Sequence, residues 1–145
     1  MDLIAVDPGV HFCAAAWFRA STLYKVELRT ERLPESLHAC VCELPNQRGR
    51  NTTVRMSTII DLTLAAGRMT GAYECKYVTP SKWKKQVPCT CGPRVVVEEC
   101  VHHRRMVKVL SAAELTLVKS APITAGLLHN IYDAVSLGLV TLGRM

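Results

Sequence analysis

Two carboxylates in the sequence each follow a short apolar run and precede a proline. Asp7 comes after Leu3 to Val6 and before Pro8-Gly9, and Glu43 comes after the apolar run 38–42 and before Leu44-Pro45. A short apolar run that ends in a turn signal predicts a buried β-strand. A carboxylate at the end of such a strand is costly to bury without a partner, such as a metal ion. Asp-Pro-Gly is also an ordinary turn, so Asp7 alone leaves both interpretations open.

A third carboxylate, Asp133, lies in the last apolar segment, which predicts a helix over about 128–142. His129 stands four residues before Asp133, so both side chains face the same way, one turn apart. Carboxylate oxygens with one imidazole suit Mg²⁺ or Mn²⁺ better than zinc. Two such ions about 4 Å apart can activate a water and stabilise the leaving oxygen of a phosphodiester. The residue types therefore indicate metal-dependent phosphodiester chemistry.

The elements that must position these residues follow from the apolar pattern. Before residue 30 the pattern predicts an antiparallel meander of three strands, at 3–7, 10–18 and 23–28. If the strand that ends at Glu43 is parallel to the first, both carboxylates lie at one edge of the sheet, where sites in open α/β sheets usually form. The pattern as a whole predicts a meander followed by parallel strands. A short strand is predicted at 73–78. Helices are predicted over about 54–72, 94–119 and 128–142.

Length and charge narrow the class of protein. The 145 residues predict a single domain over 1–145, and the net charge of +6 favours a polyanionic partner such as nucleic acid. No apolar run is long enough to cross a membrane, and a signal peptide is not expected. Two groups of basic residues could contact phosphates, or could simply be exposed to solvent. They are Arg48 and Arg50 beside Glu43, and Lys82, Lys84 and Lys85 after the helix start at Thr79-Pro80. In the second case Trp83, which lies within one of these groups, packs inward.

The seven cysteines are odd in number and predict free thiols in a reducing compartment. Cys40 and Cys42 share a face of their strand at a spacing near the upper limit for a disulfide. Zinc is the alternative, although the spacing does not match paired zinc knuckles. Its candidate ligands are Cys89, Cys91, Cys100, His102 and His103. The two adjacent histidines are expected to point in different directions, which argues against a joint site.

Four segments together resemble the RuvC-like Holliday junction resolvases, and they occur in the order seen in that family. They are Ile4-Ala5-Val6-Asp7-Pro8-Gly9, the strand into Glu43 with Leu44-Pro45, Val78-Thr79-Pro80-Ser81-Lys82-Trp83-Lys84-Lys85, and His129-x-x-x-Asp133-Ala134. The resemblance spans essentially the whole chain and is nearest to short phage and bacterial members. It implies an RNase H-like α/β fold, in which a mixed five-stranded sheet is flanked by helices on both faces.

The resemblance also implies roles for individual residues. Asp7 would bridge two Mg²⁺ or Mn²⁺ ions, Glu43 would bind one ion and Asp133 the other. His129 is the first choice for the fourth ligand, but in other members an acid stands three residues before the last aspartate. That position is Asn130 here, so the fourth ligand is open between the two.

The same resemblance implies a homodimer that resolves four-way DNA junctions by paired symmetric nicks, in DNA recombination and repair. Either the helix at 54–72 or that at 97–118 would form the interface, and no small-molecule cofactor is expected. The expected location is the cytoplasm of a bacterial cell or a phage-infected host. Two alternatives stay open: a non-catalytic nucleic-acid-binding relative, and a nuclease for other branched DNA or for RNA.

Overall fold

The computed structural model of the protein describes residues 2–8, 13–29, 39–43, 61, 74–83 and 100–145. Within these ranges five strands form one mixed sheet in the order β3-β2-β1-β4-β5. The strands are β1 (Leu3–Pro8), β2 (Cys13–Arg19), β3 (Thr22–Arg29), β4 (Ala39–Glu43) and β5 (Cys75–Val78). The first three strands pair antiparallel, and β4 pairs parallel with both β1 and β5. The predicted meander followed by parallel strands is thus confirmed.

Four α-helices belong to the described part of the chain. They are α1 (Pro80–Trp83), α2 (Val101–Val109), α3 (Ala112–Lys119) and α4 (Leu128–Thr141), the last preceded by a short 3-10 helix, Ala125–Leu127. The prediction of the last helix is confirmed to within one residue at its end. None of the described helices has the length and apolarity needed to cross a membrane. The helix predicted at 54–72 lies outside the described residues, except for Asp61, which is exposed.

The single helix predicted to end near residue 119 is wrong, because the chain breaks between α2 and α3. Leu110 has an extended backbone with ψ of 139°, and Ser111 starts a new helix. The Ser111 hydroxyl accepts a hydrogen bond from the Glu114 amide at 3.2 Å, and the Glu114 carboxylate accepts one from the Ser111 amide at 2.8 Å. This reciprocal pair is a capping box, which satisfies two amides that a helix start leaves free. The Ser-Ala-Ala-Glu sequence carries that signal, and the apolar spacing across it concealed the break.

The sheet buries apolar side chains on both faces. On one face, alternate residues of β1, β2 and β4 pack beneath α4 in a core that includes Leu3, Ala5, Phe18, Val41, Ile131 and Val135. The intervening residues form a second cluster on the opposite face, which includes Ile4, Val6, Trp17, Cys40 and Cys42. Because side chains alternate along a strand, the face of any strand residue follows from its position. This alternation therefore gives the side of the sheet on which each functional residue lies.

Helix α4 approaches β2 closely at Gly138. A Cβ atom added at this glycine would lie 2.2 Å from Cε2 of Phe18, whose ring is fully buried. A buried aromatic ring has little room to move aside, because protein interiors are close-packed. Gly138 therefore sets the distance between the helix that carries Asp133 and the sheet.

We expect Gly138→Ala to lower the free energy of unfolding by about 1–3 kcal/mol, because the new methyl group overpacks this contact. The loss should appear despite the better helix propensity of alanine, and urea unfolding measures it. Gly126→Ala is the matched control, since a Cβ at Gly126 meets nothing within 4 Å. A Gly138→Ala protein as stable as its parent would contradict the close approach.

A partly buried ion pair joins α3 to the residues after α4 and to the turn between β2 and β3. Glu114 is only 3% exposed and accepts hydrogen bonds from both terminal nitrogens of Arg144, at 2.8 and 2.9 Å. Its carboxylate also accepts the Leu23 amide at 2.8 Å. Arg144 further donates to the carbonyl oxygens of Ser21 and Val109. The hydrogen bonds from Arg144, followed by those from backbone amides, lower the pKa of Glu114 to about 2.

The turn that Arg144 contacts has an unusual backbone. Ala20 and Ser21 form a two-residue connection between β2 and β3, and both have positive φ, at 46° and 67°. Positive φ at both central positions is what a type I′ hairpin turn requires, and glycine or asparagine usually supplies it. The hydrogen bond from Arg144 to the Ser21 carbonyl oxygen, at 2.7 Å, helps to hold the turn in place.

Candidate functional site

The two strand-end carboxylates lie at the same edge and on the same face of the sheet. The parallel register pairs Val6 of β1 with Cys42 of β4, so the next residues, Asp7 and Glu43, stand on neighbouring strand ends. Alternate residues before each of them belong to the core beneath α4, which places both carboxylates on the α4 side. The prediction that a parallel pair of strands brings them to one edge is confirmed.

The third carboxylate reaches this face of the sheet from α4. Asp133 is 9% exposed, and its Oδ1 atom lies 2.8 Å from Nε2 of His103 on α2. His103 itself is completely buried. A histidine that holds one oxygen of a buried carboxylate fixes the orientation of that side chain, as second-sphere groups do for metal ligands. No local sequence pattern predicts this contact, because it joins residues of two helices that are 30 positions apart in the chain.

Glu43 has a comparable partner in α1. The indole Nε1 of Trp83 donates a hydrogen bond of 2.6 Å to Oε2 of Glu43, and the Trp83 side chain is 3% exposed. The prediction that Trp83 packs inward is confirmed. Its hydrogen bond to Glu43 was not predicted. Thr79-Pro80 starts α1, as predicted, and so brings Trp83 under the end of β4.

The ring of His102 lies between Trp83, the partner of Glu43, and His103, the partner of Asp133. We call these three rings the ring column. The centroids of Trp83 and His102 are 4.8 Å apart, and those of His102 and His103 are 4.5 Å apart. The expectation that the adjacent histidines point in different directions is therefore wrong. Neighbouring residues on a helix differ by about 100°, and α2 is buried over a wide enough arc for both rings to face inward. The column begins at the partner of Glu43 and ends at the partner of Asp133.

His129 and Asn130 occupy the first turn of α4, one turn before Asp133, and both are half-buried. The Nδ1 atom of His129 is buried and has no hydrogen-bond partner among the residues that the structure describes. A buried imidazole nitrogen in that state is suited to bind a metal ion or a water molecule. This observation favours His129 over Asn130 for the fourth ligand position, which stays a prediction.

The donor set fits hard divalent ions. Three carboxylates on one face, two of them oriented by buried donors, match the oxygen ligands that Mg²⁺ and Mn²⁺ prefer. Two other groups of three potential ligands in the described residues have donor atoms within 4.8 Å of one another, and neither includes these carboxylates. Among the described residues, the three carboxylates therefore do not form a compact group of this kind.

The cysteine predictions divide between described and undescribed residues. The described cysteines, at 13, 40, 42, 75 and 100, have free thiols, as predicted. Of the candidate zinc ligands, Cys89 and Cys91 lie outside the described residues, whereas Cys100, His102 and His103 form one of the two compact groups. Cys13 stands opposite Pro8 in the sheet. Burial, followed by the charge of Asp7, raises the pKa of the Cys13 thiol to about 12, so it stays neutral beside the site.

The basic residues of the predicted phosphate-contacting surface are described only in part. Lys82 is exposed on α1, directly before the buried Trp83. Lys84, Lys85, Arg48 and Arg50 lie outside the described residues, so their assignment to DNA binding stays a prediction. The position of Lys82 is compatible with it, because the residue that follows contacts Glu43.

The contact between His103 and Asp133 leads to a prediction. On the predicted metal site, we expect His103→Ala to raise the Mg²⁺ concentration for half-maximal binding by about 10–100-fold, because Asp133 loses the group that orients it. A calorimetric titration with Mg²⁺ measures this. His103→Gln, whose amide can replace one imidazole nitrogen, should recover part of the affinity. Equal Mg²⁺ affinities of the parent and the alanine variant would contradict this role for His103.

Solved structures with a similar fold include two of Thermus thermophilus RuvC. One is in complex with a Holliday junction substrate, with a TM-score of 0.58, 16% sequence identity, and coverage of 100% of this chain and 96% of that chain. The other has a TM-score of 0.50 and 15% identity, with coverage of 99% of this chain and 98% of that chain. No protein-family model and no curated protein matches the chain. The chain thus has the RNase H-like α/β fold that the resemblance implied.

Proposed function

We propose that this chain is a metal-dependent endonuclease that cleaves branched DNA and resolves four-way Holliday junctions, with residues 1–145 forming a single nuclease domain. One observation supports this above the others. Asp7, Glu43 and Asp133 lie on one face of an RNase H-like sheet, and buried donors hold two of the three. A fold of this type in complex with a Holliday junction, as in the Thermus protein, supports the same class of substrate.

Each residue has a proposed role. Asp7 would bridge two ions, with Glu43 on one ion, Asp133 on the other and His129, or Asn130 in its place, completing the ligands. Mg²⁺ or Mn²⁺ bound there would supply an activated water and stabilisation of charge on the leaving oxygen. Trp83 and His103 would hold Glu43 and Asp133 in place, so that the carboxylates need little rearrangement when ions bind.

The substrate would be held mainly through its phosphates. The net charge of +6 favours DNA, and a surface formed by Lys82, Lys84, Lys85, Arg48 and Arg50 would neutralise backbone charge beside the cleaved bond. Such contacts position DNA without reading its sequence. Symmetric cleavage of two strands requires two active sites, so the proposal includes a homodimer. We place this activity in recombination and repair in the cytoplasm of a bacterial cell or a phage-infected host.

The proposal is tested by cleavage of synthetic substrates that share one sequence: a four-way junction, a flap, a linear duplex and an RNA–DNA hybrid. Each strand is labelled separately, and Mg²⁺ or Mn²⁺ is added to protein that has been treated with a chelator. Paired symmetric nicks confined to the junction are the expected result.

Two other results would overturn the proposal. Binding of the junction without cleavage of any substrate would indicate a non-catalytic binding protein. Equal cleavage of the hybrid or the flap would indicate a nuclease of another specificity. A mock purification from cells that lack the protein controls for contaminating nucleases.

A further inference from the structure

Three thiols form a compact group on the face of the sheet opposite the carboxylates. Cys40 and Cys42 lie on β4, and Cys75 on β5 pairs with Cys40 in the parallel register. The sulfur atoms of Cys40 and Cys42 are 3.5 Å apart, and those of Cys42 and Cys75 are 3.9 Å apart. All three sulfurs lie within 4.8 Å of one another. We call this group the thiol triad.

Cys40 and Cys42 are poorly placed to form a disulfide with each other. They are two residues apart on one strand, where the Cα atoms are about 6.5–7 Å apart, at or beyond the usual limit for a disulfide. The sulfur spacing instead matches a shared metal ion. Zinc–sulfur bonds of about 2.3 Å in tetrahedral geometry place neighbouring sulfurs about 3.8 Å apart. The observed 3.5 and 3.9 Å lie on either side of that value.

We propose that the thiol triad binds a thiophilic metal ion, Zn²⁺ or Cu⁺, through three thiolates. Thiolate ligands select these ions over Mg²⁺ and Mn²⁺, so the two kinds of site would not compete. The ion binds the three cysteines as thiolates, and whatever thiol protons they carried are released to solvent, with no change in oxidation state. This inference is independent of the proposed nuclease activity and concerns the opposite face of the sheet.

The surroundings of the triad suit a metal site. Cys40 and Cys42 are buried in an apolar cluster, which protects thiolate–metal bonds from water, whereas the half-buried Cys75 provides an entry path. Tyr77 on β5 forms a hydrogen bond with Cys75, a contact typical of second-sphere support. Three protein ligands leave a position for water on Zn²⁺, or complete a three-coordinate Cu⁺ site.

Occupancy of the triad would also have a mechanical effect. The ion would cross-link β4 to β5 by a route other than their backbone hydrogen bonds. Glu43 follows Cys42 directly, and β5 leads through Thr79 into the helix that carries Trp83. The bound metal would thus stiffen the two segments that meet in the hydrogen bond between Trp83 and Glu43.

The test uses the full chain, reduced and stripped of metal by a chelator, and titrated with Zn²⁺ in competition with a chromophoric chelator. Cu⁺ is titrated separately against a Cu⁺-selective chelator. Cd²⁺ titration then reports thiolate ligation through its ultraviolet charge-transfer band. We expect one equivalent of metal to bind, and we expect Cys75→Ser to weaken binding by at least about 100-fold, because one of three ligands is lost.

Two matched controls localise the site. Cys13→Ser removes a thiol of the same apolar cluster that is not in the triad, and Cys100→Ser removes a thiol of the other compact group. Both variants should still bind one equivalent of metal and should still show the Cd²⁺ charge-transfer band. Cys75 is half-buried, so Cys75→Ser should fold, and circular dichroism checks that it does. Absence of binding, binding retained in Cys75→Ser, or binding lost in Cys100→Ser would each overturn the proposal.

Discussion

Replacement of Asp7 by asparagine is expected to abolish junction cleavage, with a loss of at least about 10³-fold in single-turnover rate. The amide has the same size as the carboxylate but lacks the charge needed to bridge two cations. Binding to the junction should survive, because affinity for DNA comes mainly from basic side chains that neutralise phosphates, and this change removes none of them. Single-turnover cleavage with Mg²⁺ and gel-shift binding to the same four-way junction measure the two quantities.

Asp61→Asn is the matched control for this experiment. Asp61 is exposed, and the same isosteric change there removes a negative charge without touching the strand ends. Its cleavage rate should equal that of the parent. If Asp7→Asn cut the junction at the parental rate, Asp7 would not be a metal ligand, and the assignment of the site would be wrong.

Glu114→Gln is expected to lower the free energy of unfolding by about 3 kcal/mol at pH 7, which is a large part of the stability of a small domain. The change leaves the Arg144 guanidinium without its counter-charge in a site where Glu114 is 3% exposed. Urea unfolding of both proteins measures the difference. Glu74→Gln is the control, because Glu74 pairs with Lys76 on the exposed surface and such pairs contribute little.

The pH dependence of the difference in free energy of unfolding between the parent and Glu114→Gln shows how much of that difference is electrostatic. The pKa of Glu114 is lowered from 4.5 to about 2 in the folded protein, so the unfolded chain takes up the proton first as pH falls. The stabilisation is therefore complete above about pH 4.5 and is lost as pH falls towards 2. We expect the difference in free energy of unfolding between parent and variant to become smaller over that range. A difference that stayed constant from pH 6 to pH 2 would show that packing, not charge, causes the effect.

The strands and two of the site carboxylates were predictable because their signal is local. An apolar run, an acid and a proline within a few residues predict both the strand and the place where it ends, as at Asp7 and Glu43. The position of Asp133 followed from its helix, whose apolar pattern is long and uninterrupted. Sequence patterns of this kind report what one element buries, and they were sufficient for the sheet order near β1.

The interactions between distant elements were not predictable in the same way. Nothing near His103 indicates that it meets Asp133, since that contact depends on how α2 packs against α4. The ring column similarly depends on α1 and α2 lying together. The break at Ser111 is a different case, because its capping signal was present in the sequence and the apolar spacing outweighed it.

The order of the strands has a consequence for folding. β1 lies at the centre of the sheet and pairs with its neighbour in sequence, β2, through a short connection, whereas β4 and α4 reach it only after long stretches of chain. Contacts between distant segments form slowly, because a large loop must close before they are made. The hairpin of β1 and β2 can therefore form early, and Asp133 meets the sheet late. On the function proposed here, the set of carboxylates would be complete only after that docking step, and cleavage would begin only then.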